Sequence, residues 1–139
     1  FVGRATLINQ RTVVKLLLQR YNNKAYVKGA FVFVKKNGGW SYNAVELPTG
    51  CVNVRAYKLQ IFGYGDTLMV GLTGANRVHM FRFVNSRWEY DCPVQSPLAN
   101  EKFILGDLSD EFMVLATKNQ ADDILLHTFK RVGNDWKYV

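Results

Sequence analysis

Acidic residues are scarce at the start of this chain: residues 1–48 carry eight Lys or Arg against a single acid, Glu46. Cysteine is scarcer still. Cys51 and Cys92 are the only two, which excludes a disulfide-dense scaffold or a four-cysteine zinc site and leaves open one bridge or two free thiols. Only two histidines occur, His79 and His127. A nucleophile with its base, or a set of metal ligands, therefore has few residues to draw on. No Asn-x-Ser/Thr sequon is present, so glycosylation gives no hint of a secretory history. No apolar run approaches the roughly 18 residues of a membrane helix. Even "VVKLLL" is bounded by Arg11 and Arg20, and no membrane span is expected. The chain opens on Phe1 rather than Met, which points to a removed leader or to a longer parent product.

What the chain has is aromatic residues at a fixed period. With 139 residues, 48% hydrophobic and 14% aromatic, it is long enough for one core and short for two domains. Trp40, Trp88 and Trp136 are 48 residues apart, and each opens a Trp-x-Tyr that ends at Tyr42, Tyr90 or Tyr138. Seven residues before each tryptophan stands Phe33, Phe81 or Phe129; nine before stands Phe31, His79 or His127. Such coincident offsets mark a repeat architecture, here 1–48, 49–96 and 97–139 within one domain spanning 1–139. Each repeat offers four short runs rich in β-branched and aromatic residues. In the second these are "NVRAYKLQIF", "DTLMVGL", "RVHMFRFV" and "RWEYDCPV". His79, Phe81 and Phe83 alternate with Val78, Met80 and Arg82, the period of a strand. Asn37-Gly38 suits a tight hairpin turn. Residues 13–20 are apolar enough to leave a helix open there, and no other segment reads as one.

Within this frame, "FGYGDTLMVGLTG" followed by "RVHMFRFVNSRWEY" resembles an FG-GAP blade of the integrin-α-like β-propellers. Phe62-Gly63 matches the FG pair, and Gly71-Leu72-Thr73 stands where Gly-Ala-Pro would. The third repeat keeps Asp110, Met113 and Val114 with Leu105-Gly106 near the FG position, and the first keeps only its second half. The resemblance implies an all-β fold of three four-stranded propeller-type blades. Three blades do not close a ring that takes four to eight. The ring is therefore expected to be completed by dimerisation or by further blades of a longer propeller, with a β-trefoil as the alternative fold. Charge fits a head-to-tail contact: residues 1–48 sum to +7, 49–96 to +2 and 97–139 to −2. The same excess also serves solubility. Integrin-like relatives bind calcium through a D-x-D-x-D-G type loop. Asp107, Asp110 and Glu111 lack that spacing, so no metal or cofactor is expected.

For function, the loops after the second strand of each repeat, "QRYNNKAY", "TGANR" and "TKNQADD", are the segments a rigid scaffold would present. Arg20, Tyr21, Asn22, Asn23, Lys24, Asn76, Arg77, Lys118 and Asn119 there suit hydroxyls, sulfates or carboxylates, although solvated turn chemistry explains them as well. Trp40, Trp88 and Trp136 either stack on sugar rings or wedge neighbouring repeats together. His79 and His127, standing where the first repeat has Phe31, read as packing residues. The basic first repeat contains no nucleic-acid motif, and an acidic glycan would satisfy the same field. The expectation is a non-enzymatic, extracellular or secreted binding or adhesion module, most simply a lectin-like carbohydrate binder that self-associates. A structural or protein-interaction subunit is the alternative, and an enzyme fragment ranks third.

Overall fold

A computed structural model describes residues 2–9, 12–95 and 100–139. Among them the first repeat forms β1 (Val2–Asn9), β2 (Thr12–Tyr21), β3 (Lys24–Lys36) and β4 (Gly39–Val45). The second forms β5 (Leu59–Tyr64), β6 (Thr67–Leu72), β7 (Arg77–Val84) and β8 (Arg87–Gln95). The third forms β9 (Lys102–Leu108), β10 (Phe112–Lys118), β11 (Ile124–Val132) and β12 (Asp135–Tyr138). Each quartet is a separate antiparallel sheet with its strands in chain order. The chain is thus all-β, one sheet per repeat, and the described sheets close no barrel. The repeat boundary expected between 96 and 97 lies outside the described residues, as do Gln10, Arg11 and the side chain of Cys92.

Two local departures from the sequence reading have physical causes. Residues 13–20 are strand: alternating Val14, Leu16 and Leu18 are buried, which a helix would not align on one face. The stretch "QRYNNKAY" is no open loop but a hairpin tip, since Asn22 and Asn23 both take positive φ and close a two-residue turn. Asn37-Gly38 and Asn85-Ser86 do the same. The expected strand from Asn53 begins only at Leu59. Asn53 has φ 64°, Arg55 bridges to Tyr26, and Ala56–Lys58 is a 3-10 turn. Its backbone is otherwise engaged: Val27 N donates to Val54 O (2.9 Å) and Asn53 N donates to Val27 O (2.8 Å). The connector thereby extends the edge of β3 past the end of β4.

The sheets stack face to face in chain order. One core joins Val14, Leu16, Val32 and Val45 of the first sheet to Leu68, Val70, Phe81 and Trp88 of the second. Another joins Met69, Val78 and Met80 of the second to Phe103, Met113, Leu115 and Phe129 of the third. Because successive side chains on β6 point to opposite faces, Leu68 and Val70 serve one core and Met69 the other. The middle sheet is apolar on both faces, unlike an antiparallel sheet with one solvated side.

Two glycines permit the close approach of the second and third sheets. A Cβ on Gly71 would overlap the Phe103 ring, and one on Gly106 would come within 2.7 Å of Met69 Cε. Gly74 N donates to Phe103 O (2.9 Å) and Phe103 N to Ala75 O (2.7 Å), so backbone bonds also join the two sheets. Gly71→Ala is expected to destabilise the protein by about 1–3 kcal/mol, the usual cost of overpacking, read as a lower midpoint in urea denaturation. An unchanged midpoint would show that the two sheets have room to part.

Candidate functional site

The strand order places the turns at 22–23, 73–76 and 119–123, together with residues 53–58 of the connector, at one end of the sheets. The turns at 37–38, 65–66, 85–86, 109–111 and 133–134 lie at the opposite end. Clefts open between the stacked sheets at the first of these ends. Between the second and third sheets a cleft of about 610 Å³ is lined by Gly74, Asn76, Asn100, Glu101, Lys102, Lys118, Asn119, Gln120 and Asp122. Its walls are amides and charges, with Lys118 Nζ 4.0 Å from Asp122 Oδ1. Asn119 shapes the wall from within the turn: its Oδ1 accepts from Ala121 N (3.0 Å) and Asp123 N (2.9 Å).

Below this cleft is a polar cluster that the sequence does not announce. Glu101 is almost wholly buried. Its Oε1 accepts from Thr117 Oγ1 and lies 2.6 Å from His127 Nε2, while His127 Nδ1 lies 3.0 Å from the Tyr138 hydroxyl. One carboxylate thus ties the start of β9 to β10 and β11, and through the imidazole to β12. Glu101 and His127 are 26 residues apart, and only the pairing of β9, β10 and β11 brings them together. In the second repeat His79 Nδ1 meets the Tyr90 hydroxyl at 2.9 Å, and in the first the rings of Phe31 and Tyr42 meet edge to face. Of three equivalent ring pairs, the Tyr138 pair rests on a buried acid.

A second cleft at the same end, about 540 Å³, lies between the first and second sheets and is lined by Tyr26, Asn53, Arg55, Lys58 and Thr73 among others. Beside it Tyr21, Tyr26, Lys28 and Asn53 line a smaller hollow, with Lys28 Nζ donating to Asn53 Oδ1. The Arg55 guanidinium lies 5.2 Å from the centre of the Tyr57 ring.

The sequence-selected residues therefore divide. Asn76, Lys118 and Asn119 come together in the larger cleft, and Tyr21 borders the smaller hollow. Arg20, Asn22, Asn23 and Lys24 are exposed at the hairpin tip, and Arg77 is exposed at the start of β7. The tryptophans are at the other end of the sheets, and their environments differ. Trp88 is 7% exposed between the first and second sheets, where its Nε1 has no hydrogen-bond partner among the described residues. Trp136 is half-buried with the Arg131 guanidinium 5.9 Å from its ring centre, and Trp40 is 55% exposed. Asn100, Glu101, Lys102, Gln120 and Asp122 were not singled out by sequence. The last two lie inside the quoted "TKNQADD", whereas residues 100–102 open the third repeat and carried no loop signal.

Among the described residues no group of three His, Cys, Asp or Glu is placed to hold a metal ion. Cys51 is a free thiol whose burial pushes its pKa up, which keeps it protonated and unreactive. The His79 pKa is lowered, first by burial and then by the charge on Arg77. The folded state thus binds this proton less readily than the unfolded chain. Its contribution to stability is complete above about pH 6.5 and is lost as the pH falls through the lower folded value. His79→Phe, the residue type at the equivalent Phe31, is expected to reduce the fall in urea midpoint between about pH 7 and pH 5. An unaltered fall would remove His79 as a source of acid sensitivity.

Compared with models of known protein families, with curated proteins and with solved structures, the chain matches none of them.

Proposed function

We propose that this chain is a non-enzymatic binding or adhesion module of lectin-like character. Its three sheets are blades of an incomplete β-propeller, and its ligand, a glycan or other acid-bearing polyhydroxyl, sits in the clefts between blades. The carrying observation is the 610 Å³ cleft, where Asn76, Asn100, Gln120, Lys102 and Lys118 from three separate segments converge over a core that fixes their spacing. Amide groups donate and accept at once, which suits hydroxyls carrying both functions, and the two lysines suit sulfate or carboxylate substituents. The tryptophans lie at the end of the sheets opposite these clefts, and Trp88, buried between the first and second sheets, enters this reading as a packing residue rather than as a stacking platform. An extracellular or secreted setting accompanies it.

Each cleft is open to solvent, so single-site binding would be weak, and repetition on one rigid body would supply avidity. The test is a glycan array that includes sulfated and uronate-bearing oligosaccharides, followed by calorimetry with the best ligand. Lys118→Ala and Gln120→Ala, both at exposed positions, should each weaken binding by on the order of tenfold while the thermal midpoint stays within about a degree. Binding no stronger than background across the array, or equal binding by the two variants, would overturn the proposal.

A further inference from the structure

Among the described residues the stack ends on two uncovered faces, and their residues correspond in register to those at the two internal junctions. In the internal junctions, the face that a sheet turns toward its predecessor carries one cross-strand triple. It is Leu68, Phe81 and Tyr90 in the second sheet, and Met113, Phe129 and Tyr138 in the third. In the first sheet the same registers pair Val13, Phe33 and Tyr42, beside Trp40, on a face with no predecessor. The opposite face behaves likewise. Val14 with Val32, and Leu16 with Ala30, are buried against the second sheet. Their counterparts in the third sheet, Val114 with Thr128 and Ala116 with Leu126, have no successor, and Leu126 is 72% exposed.

We propose that these two faces bind each other between two copies of this chain. The third sheet of each copy would then precede the first sheet of the other, closing a ring of six sheets. Apolar area alone would not select this partner; charge does. Arg131 Nη2 lies 3.8 Å from Asp66 Oδ1 across the junction between the second and third sheets. Phe83 N donates to Asp66 O (2.8 Å) and Arg131 N donates to Glu111 O (2.7 Å), which makes Glu111 the counterpart of Asp66. The counterpart of Arg131, opposite the repeat's tryptophan in register, is Lys35 opposite Trp40. At the junction between copies, Lys35 of one chain therefore meets Glu111 of the other.

A second pair follows from the same equivalence. Lys15, paired with Phe31, occupies the position of Val70 and Leu115, which are buried. Across the internal junction, Leu115 shares its cluster with Met69 and Phe62, which are paired in register. The counterparts of those two are Val114 and Asp107, also paired in register. An apolar contact inside the chain thus becomes Lys15 against Asp107 between chains, and a lysine that would spoil a core position finds its partner. The basic first repeat and acidic third repeat act in the same sense over longer range.

Light scattering on the full 139-residue chain should return twice 15.9 kDa. Lys35→Glu or Glu111→Lys alone should raise the dimer dissociation constant by on the order of tenfold or more, because each places like charges together at both junctions. Circular dichroism on each variant confirms that the strands persist. Mixing the two single variants in equal amounts should restore the dimer, since both junctions of the mixed ring then pair Lys with Glu. A monomer at every concentration tested, a larger assembly, or a mixture no tighter than its components would overturn the proposal. This outcome is independent of what the clefts bind, and a dimer that binds no glycan would leave the association standing.

Discussion

Everything in this molecule depends on a middle sheet that is covered on both faces. An antiparallel meander usually puts one face in water and can stop there. Here Leu68 and Val70 on one side of β6 and Met69 on the other make each face of the middle sheet a core, and the sheet is packed between two neighbours. Stacking then sets the rest. Small residues at Gly71 and Gly106 let the backbones come close enough for Phe103 and Met69 to fill the gap. The connector at 46–58 must run back across the stack, and it does so by pairing with β3. The clefts are where stacked sheets diverge past the last packed side chain.

The repeat was legible because it rests on the largest side chains. Trp40, Trp88 and Trp136 with their fixed phenylalanines and tyrosines mark the third and fourth strands of every sheet, and the observed strands agree with that register. What those residues do was less legible, because identical side chains at identical registers take different environments according to whether a neighbouring sheet is present. Trp88 is covered and Trp40 is not, and nothing adjacent to either in sequence distinguishes them. The residues from Asn53 to Lys58 have strand-like composition and turn instead, since their hydrogen bonds are claimed by β3. The repeats follow from the aromatic offsets alone, and the FG-GAP resemblance stands as an expectation about kinship.

The candidate site was half legible. Polar turns such as "TGANR" and "TKNQADD" announce themselves through composition, and Asn76, Lys118 and Asn119 line one cleft. Asn100 to Lys102 entered from the start of a strand, and Glu101 pairs with His127 through a fold that no local pattern encodes. A buried carboxylate costs several kcal/mol unless it is hydrogen-bonded. Thr117 and His127 therefore have to be where they are, and the cluster firms the base of the cleft. The same histidine position is occupied by Phe31 in the first repeat, so the aromatic packing came from the repeat, the His–Tyr contact is shared by the second and third, and the third sets its histidine on the buried Glu101.

The double coverage of β6 also orders how the molecule opens. Its amides are bonded on both sides to β5 and β7, and the side chains above and below them belong to different cores. Fraying the first sheet uncovers one face, and fraying the third uncovers the other. The slowest-exchanging amide hydrogens should accordingly lie in the middle of the chain rather than near either end, and they report the opening of the whole stack. Within a single copy, the middle repeat is the keystone of a row whose two outer members each share a core with it alone.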